Sequence, residues 1–213
     1  MSTLYFQDAN GISAEALLCF SDGTLLLILP ILFGVMFLLC SLFFKLPRHR
    51  LLTESQGLEF VWSSLPSLAL VALAIPSLRL LYLLDEVGFP AATHKAVASQ
   101  WYWTYETHDI HFVSCSSYLS SGPLRLLSAE SSLVTYSELV LRILITSTDV
   151  LHAWAVPSFA LKADAVPGRL NQLSTVLSRP GLFYGQCSEI CGSAHRFMPV
   201  TVSVLPLSSR NKF

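Results

Sequence analysis

Two long stretches of this chain carry no charge, and they decide what the rest can be. From Thr24 to Phe44 every side chain is uncharged, and most are Leu, Ile, Phe or Val. At 1.5 Å per residue, a helix of that length reaches about 30 Å, the thickness of a bilayer's hydrocarbon core. A second charge-free run extends from Phe60 to Leu78 and is closed by Arg79. Helices that are apolar on every face need lipid, or a very large protein, around them. Two buried core helices of a soluble protein are the competing reading. Pro30, Pro66 and Pro76 fall inside the runs, where membrane helices tolerate them if neighbours satisfy the freed carbonyls.

The flanks orient the spans. Ahead of the first run lie Asp8, Glu15 and Asp22 but no Lys or Arg, so it does not read as a signal peptide, which has a basic n-region. Lys45, Arg48 and Arg50 follow the first span. The positive-inside rule therefore puts the loop around residues 45–58 on the matrix or cytoplasmic side. Both the N-terminus and everything after about residue 85 then face outward. Only 13% of residues are charged, against about 25% in soluble domains. A formal net charge of -1 leaves no basic footprint, which argues against a nucleic-acid partner.

After Gly88-Phe89-Pro90 the pattern changes to short strands. Gln100–Glu106 is aromatic-rich. Leu124–Tyr136 and Glu138–Thr146 interleave aliphatic and polar residues, and Val200–Val204 alternates with period two. Gly122-Pro123, Pro167-Gly168 and Pro180-Gly181 mark turns. This spacing predicts an antiparallel sandwich or barrel. Ser114–Ser121 reads as a Ser-rich loop. The predicted organisation is an outer-face segment (1–23), a two-helix transmembrane hairpin (24–87, spans about 24–46 and 60–84), and an all-β domain (88–213).

The chemistry concentrates in Cys187-Ser-Glu-Ile-Cys191-Gly-Ser-Ala-His195-Arg-Phe-Met198, with His152 upstream. Soft sulfur beside imidazole favours copper or zinc over magnesium or calcium. A nearby thioether tips the choice toward copper, because zinc sites rarely recruit Met. Three residues between the cysteines let a loop turn both sulfurs to one point. A Cys187–Cys191 disulfide and a zinc site of two Cys and two His use the same residues and stay open as alternatives. Cys19 and Cys40 read as inert small hydrophobes, and Cys115 has no assigned role. His49, His94, His108 and His111 read as solvated.

Three segments carry a resemblance. They are Asp149-Val-Leu-His152-Ala-Trp154, Lys162-Ala-Asp164 through Asn171, and Arg179 through Met198-Pro199. Together with Gln100-Trp101-Tyr102-Trp103-Thr-Tyr105-Glu106 and Pro76-Ser-Leu-Arg79 with Asp85-Glu86, they resemble cytochrome c oxidase subunit 2 over nearly the whole chain. The resemblance implies a cupredoxin-like Greek-key domain holding a dinuclear copper centre. Cys187 and Cys191 would bridge the coppers, His152 and His195 would each ligate one, Met198 would be a weak ligand, and Glu189 would lend its carbonyl. The Glu189 carboxylate would reach a magnesium ion at the interface with the catalytic haem–copper subunit 1.

The same resemblance makes Trp101 the residue through which electrons arrive from cytochrome c. It puts the docking face on Glu106, Asp109, Glu130 and Asp149, and Glu59 near the mouth of a proton pathway. Trp103 reads as ordinary sheet packing. The stretch after Asp109 lacks the further carboxylates common in animal relatives, which predicts less salt-sensitive kinetics. Other oxidase subunits and membrane lipid complete the implied partners. A quinol oxidase subunit would lack the copper ligands, and a membrane-tethered metallochaperone would need an exposed, exchangeable site. With no recognisable signal, transit peptide or appended haem domain, the expected location is the mitochondrial inner membrane, or alternatively a bacterial plasma membrane.

Overall fold

The computed structural model describes residues 5–44, 53–85, 88–108 and 112–212. The loop bearing Lys45, Arg48 and Arg50 lies outside them, as do Asp109, His49 and His111. The chain divides into two compact units, one of residues 18–82 and one combining residues 1–17 with 83–213.

Two helices account for the first of these. Helix α1 runs Ile12–Phe43 and α2 runs Gln56–Asp85. Both are long and apolar enough to cross a membrane. α1 starts well before the charge-free run, because Asp22-Gly23 does not interrupt it and Glu15 suits the positive end of its dipole. Its first hydrogen bond runs from the Glu15 N–H to the Gly11 carbonyl at 3.1 Å. α2 is capped by Ser55, whose hydroxyl accepts from the Leu58 N–H at 3.4 Å. Large apolar side chains stand exposed all along both helices.

Among the described residues the β unit has ten strands. A five-stranded sheet has the order β3 (Phe112–Ser117), β2 (Tyr102–His108), β1 (Ala92–Ser99), β5 (Val140–Ser147), β8 (Asn171–Val176). A three-stranded sheet has the order β4 (Leu133–Tyr136), β10 (Pro199–Leu205), β9 (Gly181–Gln186). β6 (His152–Val156) pairs with β7 (Leu161–Ala165). Alternation is strict on β1 and β5, so one face of each enters the core. Trp103, Tyr105, Ile143, Ile145, Trp154, Phe159, Val200 and Val202 fill that core.

Several sequence expectations need correction. Two pairings, β1–β5 and β4–β10, are parallel rather than antiparallel. Alternation reports which face is buried, not the direction of the partner strand. Only the end of the 124–136 run is a strand. Leu124–Ser128 is a turn, held by the Ser128 N–H to the Leu124 carbonyl at 3.1 Å and by the Ser128 hydroxyl. Half of the Ser-rich stretch is β3, paired with β2, so Cys115 lies in a strand opposite Tyr105. His94 is buried in β1, with Nδ1 3.1 Å from the Thr107 hydroxyl.

The N-terminal segment is tied to the β unit. Asn10 is fully buried, and its Oδ1 accepts from the Ser178 and Arg179 N–H groups at 3.1 and 2.8 Å. Its Nδ2 donates to the Arg179 carbonyl at 3.0 Å. Gly11 follows at φ +129°, where a Cβ would meet the Val176 carbonyl at 2.5 Å.

Candidate metal centre

Two separate pieces of chain supply the candidate metal donors. The first is β6, which is buried along its whole length and opens with His152. β9 lies against it so closely that a Cβ on Gly185 would fall 1.9 Å from the Ala155 carbonyl. Glycine is therefore required there. The second piece is the loop between β9 and β10, residues 187–198. The Ser188 N–H ties its start to the Ala153 carbonyl at 3.0 Å. Its end tightens into a short 3₁₀ turn, His195–Phe197, before Met198 enters the core.

The donor atoms converge. One ligand atom each from His152, Cys187 and Cys191 lie within 4.8 Å of one another, and all three residues are buried. Cys187 Sγ is 3.9 Å from His152 Nδ1 and 3.3 Å from the Glu189 carbonyl oxygen. Cys191 Sγ is 3.5 Å from His195 Nδ1 and 3.6 Å from Met198 Sδ. Tetrahedral metal bonds of 2.0–2.3 Å put neighbouring donor atoms roughly 3.6 Å apart. The spacing therefore fits donors that share a metal. Both cysteines are free thiols.

Electrostatics disfavour a bare thiolate at Cys191. Burial, then the neighbouring Cys187, push the Cys191 thiol up to about 12. Metal binding must therefore displace a proton here. His152 Nε2 lies 2.9 Å from Asp149 Oδ1, which fixes the ring and leaves Nδ1 facing the sulfur. Burial alone would raise the Asp149 carboxyl. Hydrogen bonds from His152, the Val150 and Gln100 N–H groups and Ser147 outweigh that and hold it below its ordinary value. Behind His152, the Trp103 ring stands edge-on at 6.3 Å.

Trp101 sits in the turn between β1 and β2, and its indole lies on Gly192 in the metal loop. A Cβ there would be 3.0 Å from Trp101 Cζ2. The described acidic residues come from different elements. Glu106 pairs with Lys95 at 3.0 Å across β1–β2. Glu130 is exposed, its N–H bonded to the Tyr118 carbonyl. Asp149 is engaged with His152. Glu189 points its carbonyl at Cys187 while the residue stays exposed. Glu59 lies in the first turn of α2. Sequence reasoning gave no role to Gln100 or Gly192 and did not see Asp149 as a partner of His152. The signal available was their place inside the quoted motifs, with Asp149 three residues before the ligand.

A helical membrane anchor followed by a mixed β-sandwich with a buried Cys/His centre defines a membrane-tethered metal-binding subunit. Residues 92–205 match the family described as cytochrome C oxidase subunit II, periplasmic domain, and residues 1–80 match its transmembrane domain. The chain belongs to the cytochrome c oxidase subunit II family. It is similar to the periplasmic domain of subunit II of cytochrome oxidase (CoxB) of Bradyrhizobium japonicum, at 38% identity and a TM-score of 0.57. That match covers 60% of this chain and 93% of the other. A second similar structure is a mixed disulfide intermediate between the thioredoxin-like TlpAs and subunit II of cytochrome c oxidase. There the identity is 37%, the TM-score 0.53, and the coverage 60% of this chain and 90% of that one. The fold is thus two membrane-spanning helices followed by an exposed cupredoxin-like domain of a copper-binding family, that of cytochrome c oxidase subunit II.

Proposed function

We propose that this chain is the electron-input subunit of its oxidase, accepting electrons from cytochrome c at a dinuclear copper centre and passing them to haem in the catalytic subunit. The observation that carries this reading is the pairing of donors. Each sulfur has its own imidazole and one weak extra donor, the Glu189 carbonyl on one side and the Met198 thioether on the other. One tetrahedral metal would need only four of these six groups. Two coppers bridged by both thiolates would supply a delocalised one-electron store, in which gaining or losing the electron changes each bond little. Burial of His152, Cys187, Cys191 and Met198 keeps water from the donors and the pocket rigid. The same burial disfavours a metallochaperone, which must release its cargo.

Trp101 is the proposed receiving group, since its indole rests on the residue after Cys191. Glu106, Asp109, Glu130 and Asp149 form the proposed docking face for a basic partner. Lys95 neutralises part of it, which adds to the expected weak salt dependence. The exposed Glu189 carboxylate is the proposed magnesium ligand toward subunit 1, and Glu59 the proposed proton-path residue. The compartment proposed is the mitochondrial inner membrane, with a bacterial plasma membrane as the alternative. By analogy with the mixed disulfide formed by a relative, a thioredoxin-like partner would keep Cys187 and Cys191 reduced before metal loading.

Rapid mixing of the whole oxidase with reduced cytochrome c tests the reading. Bleaching of the thiolate-to-copper absorption should precede haem reduction. Haem reduction with no earlier change in that band would refute it.

A further inference from the structure

We propose that Gln100, bonded to both ligand-bearing pieces of chain, is the residue that positions the Trp101 indole on the metal loop. The inference rests on the electron-input reading of the site. The His152 piece and the 187–198 loop are far apart in sequence, and Gln100 bonds to both. Its backbone N–H donates to Asp149 Oδ2 at 2.6 Å, while the other oxygen of that carboxylate holds His152 Nε2 at 2.9 Å. Its side-chain Nε2 donates to the Cys191 carbonyl at 2.7 Å. A chain of three hydrogen bonds therefore runs from one ligand, His152, through Asp149 and Gln100 to another, Cys191.

Trp101 is the next residue along. Its indole and the Gln100 amide lie side by side over Gly192, where an added Cβ would be 3.0 Å from the ring and 3.3 Å from the amide nitrogen. The Trp101 indole nitrogen is buried with no hydrogen-bond partner among the described residues. The ring thus has packing but no directional bond of its own. The direction comes from Gln100, anchored at backbone and side chain. Gln100 is itself exposed, so its side chain does not fill the core. Its role is to orient. Small displacements of a donor group can cost large factors in rate, so an orienting bond at this point acts on electron arrival rather than on folding.

The test substitutes Gln100→Met, which keeps the length and removes the donor. In the metal-free, reduced full-length chain in detergent, hydrogen exchange of the Trp101 indole N–H is followed by NMR and assigned with Trp101→Phe. Exchange should quicken by about tenfold or more as the ring loosens. In the assembled oxidase, copper content should be unchanged and the thiolate-to-copper band should shift. Reduction by saturating cytochrome c should slow about tenfold with KM unchanged. Wild-type indole exchange together with a wild-type reduction rate would overturn the proposal. So would joint loss of copper and of the β unit's melting transition, because Gln100 would then be a folding element. The exchange arm needs no metal. A wild-type chain that binds no copper would therefore sink the electron-input reading and leave the positioning role still measurable.

Discussion

Ile31 in α1 and Leu170 in the β unit are both 54% exposed, yet they answer to different solvents. Around Ile31 nearly every side chain is apolar, whichever way it points. Leu170 lies in the short connection from β7 to β8, and β5, the partner of β8, alternates and buries one face only. Exposure alone says nothing about the surroundings. The pattern around the residue does, and it divides the chain into a part made for lipid and a part made to hold a rigid polar site.

The largest effect should come from breaking the rigid site. Cys191→Ser removes one donor of a converging set, so copper should be lost and turnover should fall by more than about 100-fold. The helices should still insert. Copper analysis and oxidase assembly on a native gel check both halves of that expectation. Next comes the matched pair of equally exposed residues. Ile31→Arg should cost about 3 kcal/mol of insertion free energy, while Leu170→Arg should stay within about 0.5 kcal/mol in a thermal melt. Equal tolerance at both positions would erase the distinction between the two parts.

A smaller effect is expected at Asn10. Its amide satisfies two N–H groups and one carbonyl beyond β8, so Asn10→Ala should destabilise the β unit by about 2 kcal/mol. Chemical denaturation of the full chain measures it. The smallest effect is a pH slope. Asp149 is held below its ordinary 3.8, so the folded state binds this proton less readily than the unfolded state. Its contribution to stability is present above that value and is lost as pH falls through the lower folded value. Between about pH 5 and pH 3, wild type should therefore lose more stability than Asp149→Asn. Identical slopes would remove Asp149 from the support of His152.

Much of this was legible in the sequence, for physical reasons that differ by region. The helices could be read from absence of charge, which needs no partner. The candidate donors of the 187–198 loop could be read from soft-ligand chemistry at short spacing. Strand direction could not be read, because β1 bonds β5 across some fifty residues and alternation is blind to direction. His94 looked solvated because nothing local reveals Thr107 across the β1–β2 hairpin. Gln100 bonds to residues 49 and 91 positions away and Asn10 to residues about 170 positions away, and no periodicity reports those.

The Cys187/Cys191 pair, each sulfur with its own histidine, is proposed to hold two coppers that share one electron. Copper analysis combined with low-temperature EPR of the purified full-length chain tests it most directly. Two coppers per chain and one unpaired electron coupled equally to both nuclei are expected. One zinc, one copper, or a metal-free chain with a Cys187–Cys191 disulfide would contradict it.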